Sequence, residues 1–362
     1  MKKLFYILGL LTLFSLFFTG CSKMSGDIES TQYPIKTKMD FQQPSFISQQ
    51  IGANLFINCT PNIPQDFSTG FTDTMYVDLH LFDAENVAKT LINNETIVSK
   101  QECYVSSFGI SAQKFELITQ SGKNLNNGLG YDLYYSVDES APFSIIVSLS
   151  NSIDVTHLNS DDFSFESKES AAQKLKDLLL KLNINVSSDY TCYSLDHNTL
   201  LKILADNSLS PALDINESFD SYIFYFTPTV NNIPISSREY GNANGGNIIY
   251  ASGIRIIYNR NGIIELRANQ LYDFDQIQQN KVKIISVDQA LQSVIKYYDQ
   301  IILIDPLEIT NMNLEYLPTI YTSDRSKYLM KPVWNVTISL KEDSNSIVAE
   351  HLIDATTGEL IE

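Results

Sequence analysis

Apolar residues recur at helical spacing in four segments of the chain, and these segments predict four amphipathic helices. They begin after Asp83, near Lys168, after Asp196 and after Ser286. Three of these starts are good N-caps, and Ser286 with Gln289 has the spacing of a capping box. The last segment carries the fullest apolar stripe, which indicates a helix packed on a core.

Short runs rich in β-branched and aromatic residues predict strands between the helices. Asn261-Gly262 separates two of these runs and is a strong hairpin signal. The predicted strands cover residues 54–58, 74–81, 131–135, 143–149, 222–226, 233–236, 254–258, 263–267, 312–316, 333–340 and 347–354.

The strand predicted at 333–340 has the clearest alternation. Trp334, Val336 and Ile338 alternate with Asn335, Thr337 and Ser339. This pattern predicts one apolar face on a core and one solvated face.

The order of these elements predicts an α+β fold, with helices packed on one face of twisted antiparallel sheets. A polar run over residues 151–162 is a candidate domain boundary. We predict an N-terminal strand-rich α+β domain at 46–165, followed by two modules of helix and sheet at 166–280 and 281–362.

The N-terminus has the pattern of an export signal. Lys2 and Lys3 precede about 15 almost wholly apolar residues, fewer than the roughly 20 that span a bilayer. The segment ends in Phe18-Thr19-Gly20-Cys21, which resembles the bacterial lipobox. The resemblance implies a signal peptide at 1–20 and a lipid attached to Cys21; the alternative is a plain signal or an uncleaved anchor with a chance cysteine.

The chain is strongly acidic, and this charge limits its partners. It carries 42 acidic and 25 basic side chains, and loss of Lys2 and Lys3 would take the formal charge from −17 to −19. A phosphate backbone would be repelled, so no nucleic-acid partner is expected. We expect the polar segment 21–45 to be a flexible linker that tethers the protein to the extracytoplasmic face of the membrane.

The C-terminal part resembles PepSY-like modules. The resemblance rests on a helix, a long connector, Pro332-Val333-Trp334-Asn335-Val336, and then Ile353-Asp354-Ala355-Thr356-Thr357-Gly358-Glu359. It covers residues 286–362 and is weaker over 168–268. It looks most like the modules of YycH/YycI-type extracytoplasmic regulators, and the whole chain is similar to lipoproteins of low-GC Gram-positive bacteria. The resemblance implies a non-enzymatic binding or regulatory role and no cofactor.

Candidate catalytic motifs are weak. Ser111-Ala112-Gln113-Lys114 fits the S-x-x-K pattern of penicillin-binding proteins, but no K-T-G accompanies it, so an ordinary exposed segment is the better interpretation. The four histidines are not spaced for a shared metal, and hydrogen-bonded structural roles are favoured for His80 and His351. The glycine-rich stretch 241–246 lacks a phosphate-loop lysine and is expected to join two strands.

Two questions stay open at the level of sequence. Asp154, His157, Asp161 and Asp162 could supply oxygens to calcium, although such acidic loops are usually only solvated. Beyond Cys21, the odd set Cys59, Cys103 and Cys192 allows at most one bridge, such as Cys59 with Cys103, or three reduced core residues.

The abundant aromatic residues are expected mainly in the core, with carbohydrate binding as the alternative. We therefore expect a surface lipoprotein, not an enzyme, that binds a protein partner through sheet faces or edges. The alternative is a receptor for a small ligand or peptide. A cleft lined by convergent polar groups would favour the receptor, and a broad apolar patch would favour the protein partner.

Overall fold

The computed structural model describes residues 45–51, 54–64, 70–93, 95–107, 110–128, 131–138, 142–149, 153–155, 158–207, 213–242, 247–321 and 327–361. These residues belong to one compact unit. The predicted signal peptide, Cys21 and the predicted linker up to residue 44 lie outside them. No helix within these ranges is both long and apolar enough to cross a membrane.

Eighteen strands and five α-helices occur within these ranges. The helices are α1 (Ala84–Leu91), α2 (Ser144–Leu149), α3 (Lys168–Lys181), α4 (His197–Asp206) and α5 (Val287–Tyr298). The strands are β1 (Ile47–Gln50), β2 (Leu55–Cys59), β3 (Phe71–Leu79), β4 (Ile97–Ser107), β5 (Ile110–Thr119), β6 (Asn124–Asn126), β7 (Leu133–Ser136), β8 (Val186–Leu195), β9 (Ser221–Val230), β10 (Ile233–Pro234), β11 (Tyr240–Asn242), β12 (Asn247–Ile249), β13 (Gly253–Asn259), β14 (Gly262–Asn269), β15 (Tyr272–Lys283), β16 (Leu307–Ile320), β17 (Tyr328–Leu340) and β18 (Asp343–Asp354).

Most strands belong to two large sheets. The first has the order β1-β2-β16-β17-β3-β15, with β18 also paired to β17. The second has the order β10-β9-β13-β14-β7-β6-β5-β4, with β8 also paired to β9. The chain therefore starts in the first sheet, builds the second from β4 to β10 and β13 to β14, and returns to the first at β15. Among the strands that the structure describes, all pairs are antiparallel except β2 with β16.

The predicted α+β class is wrong, because the protein is mostly β, with two large sheets and few helices. Strands β4, β5, β8 and β15 were not predicted. They are rich in polar residues, as in Tyr272–Lys283, so they lack the apolar runs that mark a strand. Conversely, residues 143–149 were predicted to form a strand, but Ser144–Leu149 form the helix α2. A short apolar run does not by itself distinguish a strand from a helix.

Capping residues explain why the predicted helices begin where they do. The side chain of Asp83 accepts a hydrogen bond from the backbone N–H of Asn86, and Asp196 accepts from Asn198 and Thr199. Ser286 and Gln289 form the predicted capping box. Asn183, just after the end of α3, has a φ of 61°, a left-handed conformation that asparagine tolerates after a helix. These local predictions are confirmed.

The helices cover three of the four large sheet faces, at least in part. Residues of α1 and α3 pack with one face of the second sheet around Phe224 and Leu266. Residues of α2 and α4 pack with its other face around Ile223 and Ile257. On the first sheet, α5 follows Ile285, whose carbonyl accepts a hydrogen bond from the indole of the buried Trp334.

Candidate functional site

A cleft of about 480 Å³ lies between the two sheets, and we call it the inter-sheet cleft. Its first wall is the face of the first sheet opposite Trp334, and it includes Asn335 and Thr337 of β17. Its second wall comes from β8, β9 and β13 of the second sheet, including Tyr190 and Tyr225. The lining side chains on the first sheet are polar: Asn311, Asn313, Glu315, Asn335, Thr337 and Glu350.

Strand register brings these polar side chains together. Asn313 pairs with Asn335, Asn311 pairs with Thr337, and Thr337 pairs with Glu350. Directly opposed residues project from the same face of a sheet with Cβ atoms about 5 Å apart. Alternation along three neighbouring strands therefore builds one continuous polar surface.

The predicted solvated face of β17 is instead buried. Only 8% of Asn335 is exposed, and Thr337 and Ser339 are buried as well. The alternation was predicted correctly, but a single strand does not reveal that the second sheet covers its polar face. Burial of amides and hydroxyls is costly unless each finds a partner.

Glu315 is the most perturbed group in the cleft. Its carboxylate accepts a 3.1 Å hydrogen bond from Nδ2 of Asn335 and a second from the side chain of Ser236. Its pKa is raised to about 7: burial is the main cause and the charge of Glu350 adds to it, while the hydrogen bonds from Ser236 and Asn335 and the charge of Arg238 oppose the rise. Glu315 therefore changes charge near neutral pH.

Arg238 neutralises the neighbouring acid. Its Nε lies 3.2 Å from Oε2 of Glu350, and its Nη1 donates to the backbone carbonyl of the same residue at 3.1 Å. The described lining residues include the carboxylates of Asp189, Glu315 and Glu350 and no lysine or arginine side chain. The cleft is thus neutral to acidic.

Asn335 has one unused hydrogen-bonding atom. Its Nδ2 donates to Glu315, while its buried Oδ1 has no hydrogen-bond partner among the described residues. An isolated buried acceptor costs free energy, and in folded proteins such an atom is explained by strain, by function or by an ordered water. Asn335 lines a cleft that is large enough for a small molecule.

The histidines predicted from sequence occupy separate places. Nδ1 of His80 lies 2.6 Å from Asp273, and the pair lines a smaller cavity of about 190 Å³. Nε2 of His351 lies 3.0 Å from the hydroxyl of Tyr298. Both histidines are hydrogen-bonded, as expected, although His80 lies just after β3 and not within it. His197 lies 2.8 Å from Asp220 at the start of α4.

The weak motifs stay apart from the cleft. Ser111 and Lys114 lie on β5, paired with β4 at the far end of the second sheet. In the acidic loop, Asp162 accepts from the backbone N–H of Lys168. His157 lies outside the described residues, and within them no group of three or more metal-ligating side chains occurs. The stretch 241–246 starts in β11 and precedes β12, two paired strands, as expected.

The cysteines match neither arrangement expected from the sequence, because they form no bridge and Cys103 is exposed and thus not a core residue. Cys59, Cys103 and Cys192 are free thiols, so the suggested bridge between Cys59 and Cys103 does not form. Burial raises the pKa of the Cys59 thiol to about 11 and that of Cys192 to about 12. Tyr222 and Phe224 are buried in the core, as expected.

Known proteins add evidence on the fold alone. No known protein family and no curated protein matches this sequence. The structure is similar to the 1.45 Å crystal structure of an uncharacterized protein from Eubacterium rectale ATCC 33656, with a TM-score of 0.65 and 18% identity. The likeness covers 89% of this chain and 96% of that chain. The PepSY-like resemblance and the similarity to YycH/YycI-type regulators stay predictions.

Proposed function

We propose that this protein is a lipid-anchored, non-enzymatic binding protein on the extracytoplasmic face of the membrane, with the inter-sheet cleft as its ligand site. The observation that carries the proposal is the amide of Asn335, a residue that lines the cleft and whose buried Oδ1 lacks a hydrogen-bond partner among the described residues. A bound donor would satisfy this atom. The receptor hypothesis is therefore preferred to the protein-partner hypothesis.

The chemistry of the cleft indicates a neutral or cationic ligand with several O–H or N–H donors. Asn335 offers an acceptor, and Asp189, Glu315 and Glu350 add carboxylate oxygens. Anions would meet these carboxylates without a lining lysine or arginine among the described residues. Tyr225 also lines the cleft and adds flat apolar surface, which suits the carbon face of a sugar ring, while Lys176 lies over the ring of Tyr190 at 4.9 Å.

Three sugars of the same ring size and different charge test this proposal. Calorimetric titration should detect binding of glucosamine and glucose, in that order of affinity, and no binding of glucose 6-phosphate. Asn335→Leu should abolish binding, while Ser346→Ala, near the start of β18 and not among the lining residues, should leave it unchanged. The proposal would be contradicted if glucose 6-phosphate bound and the other two sugars did not. It would also be contradicted if the Asn335→Leu variant bound the sugars as tightly as the wild type.

A protein partner is the second candidate, and a separate observation favours it. Ile302 and Ile304, in the loop after α5, are 92% and 87% exposed. Exposed apolar side chains at one loop tip are typical of contact sites. Capture of membrane proteins by the full chain should lose a specific band with the Ile302→Ser/Ile304→Ser variant; identical band patterns would exclude this loop.

The anchor has its own test. In cells labelled with a fatty-acid analogue, the wild-type chain should carry label, and Cys21→Ser should not. Fractionation should then move the variant out of the membrane fraction. An unlabelled wild-type protein would contradict lipid attachment without affecting the proposal for the cleft.

A further inference from the structure

A second cavity lies at the end of the second sheet, beside the β13–β14 hairpin, and we call it the hairpin pocket. Its volume is about 320 Å³, at the lower end of the range for small-molecule sites. It is separate from the inter-sheet cleft, with which it shares no lining residue. Most of its wall is apolar, from Leu91, Val137, Phe143, Leu178, Ile263 and Ile264.

The pocket differs from a simple packing defect because it contains a buried polar side chain, that of Asn259. The residue is fully buried and lines the pocket. Its Oδ1 accepts a 2.8 Å hydrogen bond from the backbone N–H of Asn261, and this bond fixes the orientation of the amide. Nδ2 is therefore the free end, and it has no hydrogen-bond partner among the described residues.

Two further donors line the same pocket. The ammonium group of Lys123 donates to Glu95 and to the hydroxyl of Tyr135, and it keeps one hydrogen for a further acceptor. Tyr135 is buried and hydrogen-bonds to Lys123, and burial raises the pKa of its hydroxyl, which stays protonated at neutral pH. The pocket thus combines an apolar body with donors from Asn259, Lys123 and Tyr135.

We propose that the hairpin pocket binds a small monocarboxylate with an apolar chain, whose carboxylate accepts hydrogen bonds from Asn259 and Lys123. A cavity of about 150 Å³ holds benzene, so the hairpin pocket has room for a chain of medium length. A carboxylate suits these groups because all three are donors, and the apolar wall excludes a second charge. The proposal is independent of the function proposed for the cleft.

Three probes of equal chain length test the chemistry: octanoate, 1-octanol and octylamine. Calorimetry or ligand-observed NMR on the full chain should rank octanoate above octanol, with octylamine not bound. Equal binding of octylamine, or no binding of octanoate, would overturn the proposal.

Two variants test the location. Asn259→Asp keeps the acceptor that the hairpin turn needs but removes the donor, and we expect at least a tenfold loss of octanoate affinity. Because a buried aspartate can also weaken the fold, Leu178→Trp serves as a second variant: it fills the pocket from a half-buried position on α3 and should abolish octanoate binding at an unchanged melting temperature.

Asn335→Leu in the inter-sheet cleft is the matched control and should bind octanoate like the wild type. If Leu178→Trp binds octanoate normally, the pocket is not the site. If Asn335→Leu loses octanoate, the cleft is the site, and the proposal fails in that case too.

Discussion

The two faces of β17 are both buried, yet they have opposite chemistry. Trp334, Val336 and Ile338 lie in an apolar core on one face. Asn335 and Thr337 line the inter-sheet cleft on the other. The comparison teaches that burial alone does not distinguish a core from a site. What distinguishes them is whether each buried polar atom has a partner.

The energetic consequences of the two faces should differ as well. The apolar face stabilises the protein through area removed from water and close packing. The polar face gains little net free energy, since its hydrogen bonds replace bonds to water. Substitutions on the first face should therefore affect stability, and those on the second should affect ligand binding and pH dependence.

The largest effect is expected on the apolar face. Trp334 is fully buried, and its indole N–H donates to the carbonyl of Ile285 at 3.3 Å. Trp334→Ala should lower the free energy of unfolding by about 3–5 kcal/mol, because it leaves a large cavity. Urea unfolding followed by circular dichroism measures this change. A loss below about 1 kcal/mol would show that α5 does not form a tight core with β17.

An intermediate effect is expected from Glu315, through pH. Its pKa is about 7 in the folded protein, against an ordinary value of 4.5. The folded state thus holds the proton more tightly than the unfolded chain, and stability should fall as the pH rises from 4.5 to about 7, then level off. The loss is on the order of 3 kcal/mol.

Glu315→Gln should remove this part of the pH dependence. The measurement is the difference between the unfolding free energies at pH 5 and pH 8 for each variant. Glu102→Gln on the exposed strand β4 is the matched control and should keep the wild-type difference. If Glu315→Gln also keeps it, the carboxyl of Glu315 does not titrate with a raised pKa.

Local features of the fold were predictable from sequence, and the reason is that caps and turns depend on neighbouring residues. Asp83, Asp196 and Ser286 mark helix starts by bonds within three residues. Gly262 turns the hairpin with a φ of 107°, which glycine adopts without strain. Strand β15 was not predicted because it is rich in polar residues and lacks an apolar run. It pairs with β3, about 200 positions away in the chain, and a local pattern does not reveal that pairing.

The cleft was not predictable, although one signal for it exists. Asn311, Asn313 and Glu315 alternate with apolar residues in the same way as Asn335 and Thr337. Two strands with matched polar alternation indicate a shared polar face, but not what covers it. That information depends on how β8 and β9 of the second sheet lie opposite, and no local pattern encodes it.

The smallest effect on stability is expected at Thr337, on the cleft face of the same strand as Trp334. Thr337→Val replaces a hydroxyl with a methyl group of similar size, so unfolding by urea should change by less than about 1 kcal/mol. Glucose affinity in calorimetry should nevertheless fall, because the cleft loses a hydrogen-bonding group. If the valine variant instead loses as much stability as Trp334→Ala and binds glucose like the wild type, the polar face is a structural core, and the distinction between the two faces of β17 does not hold.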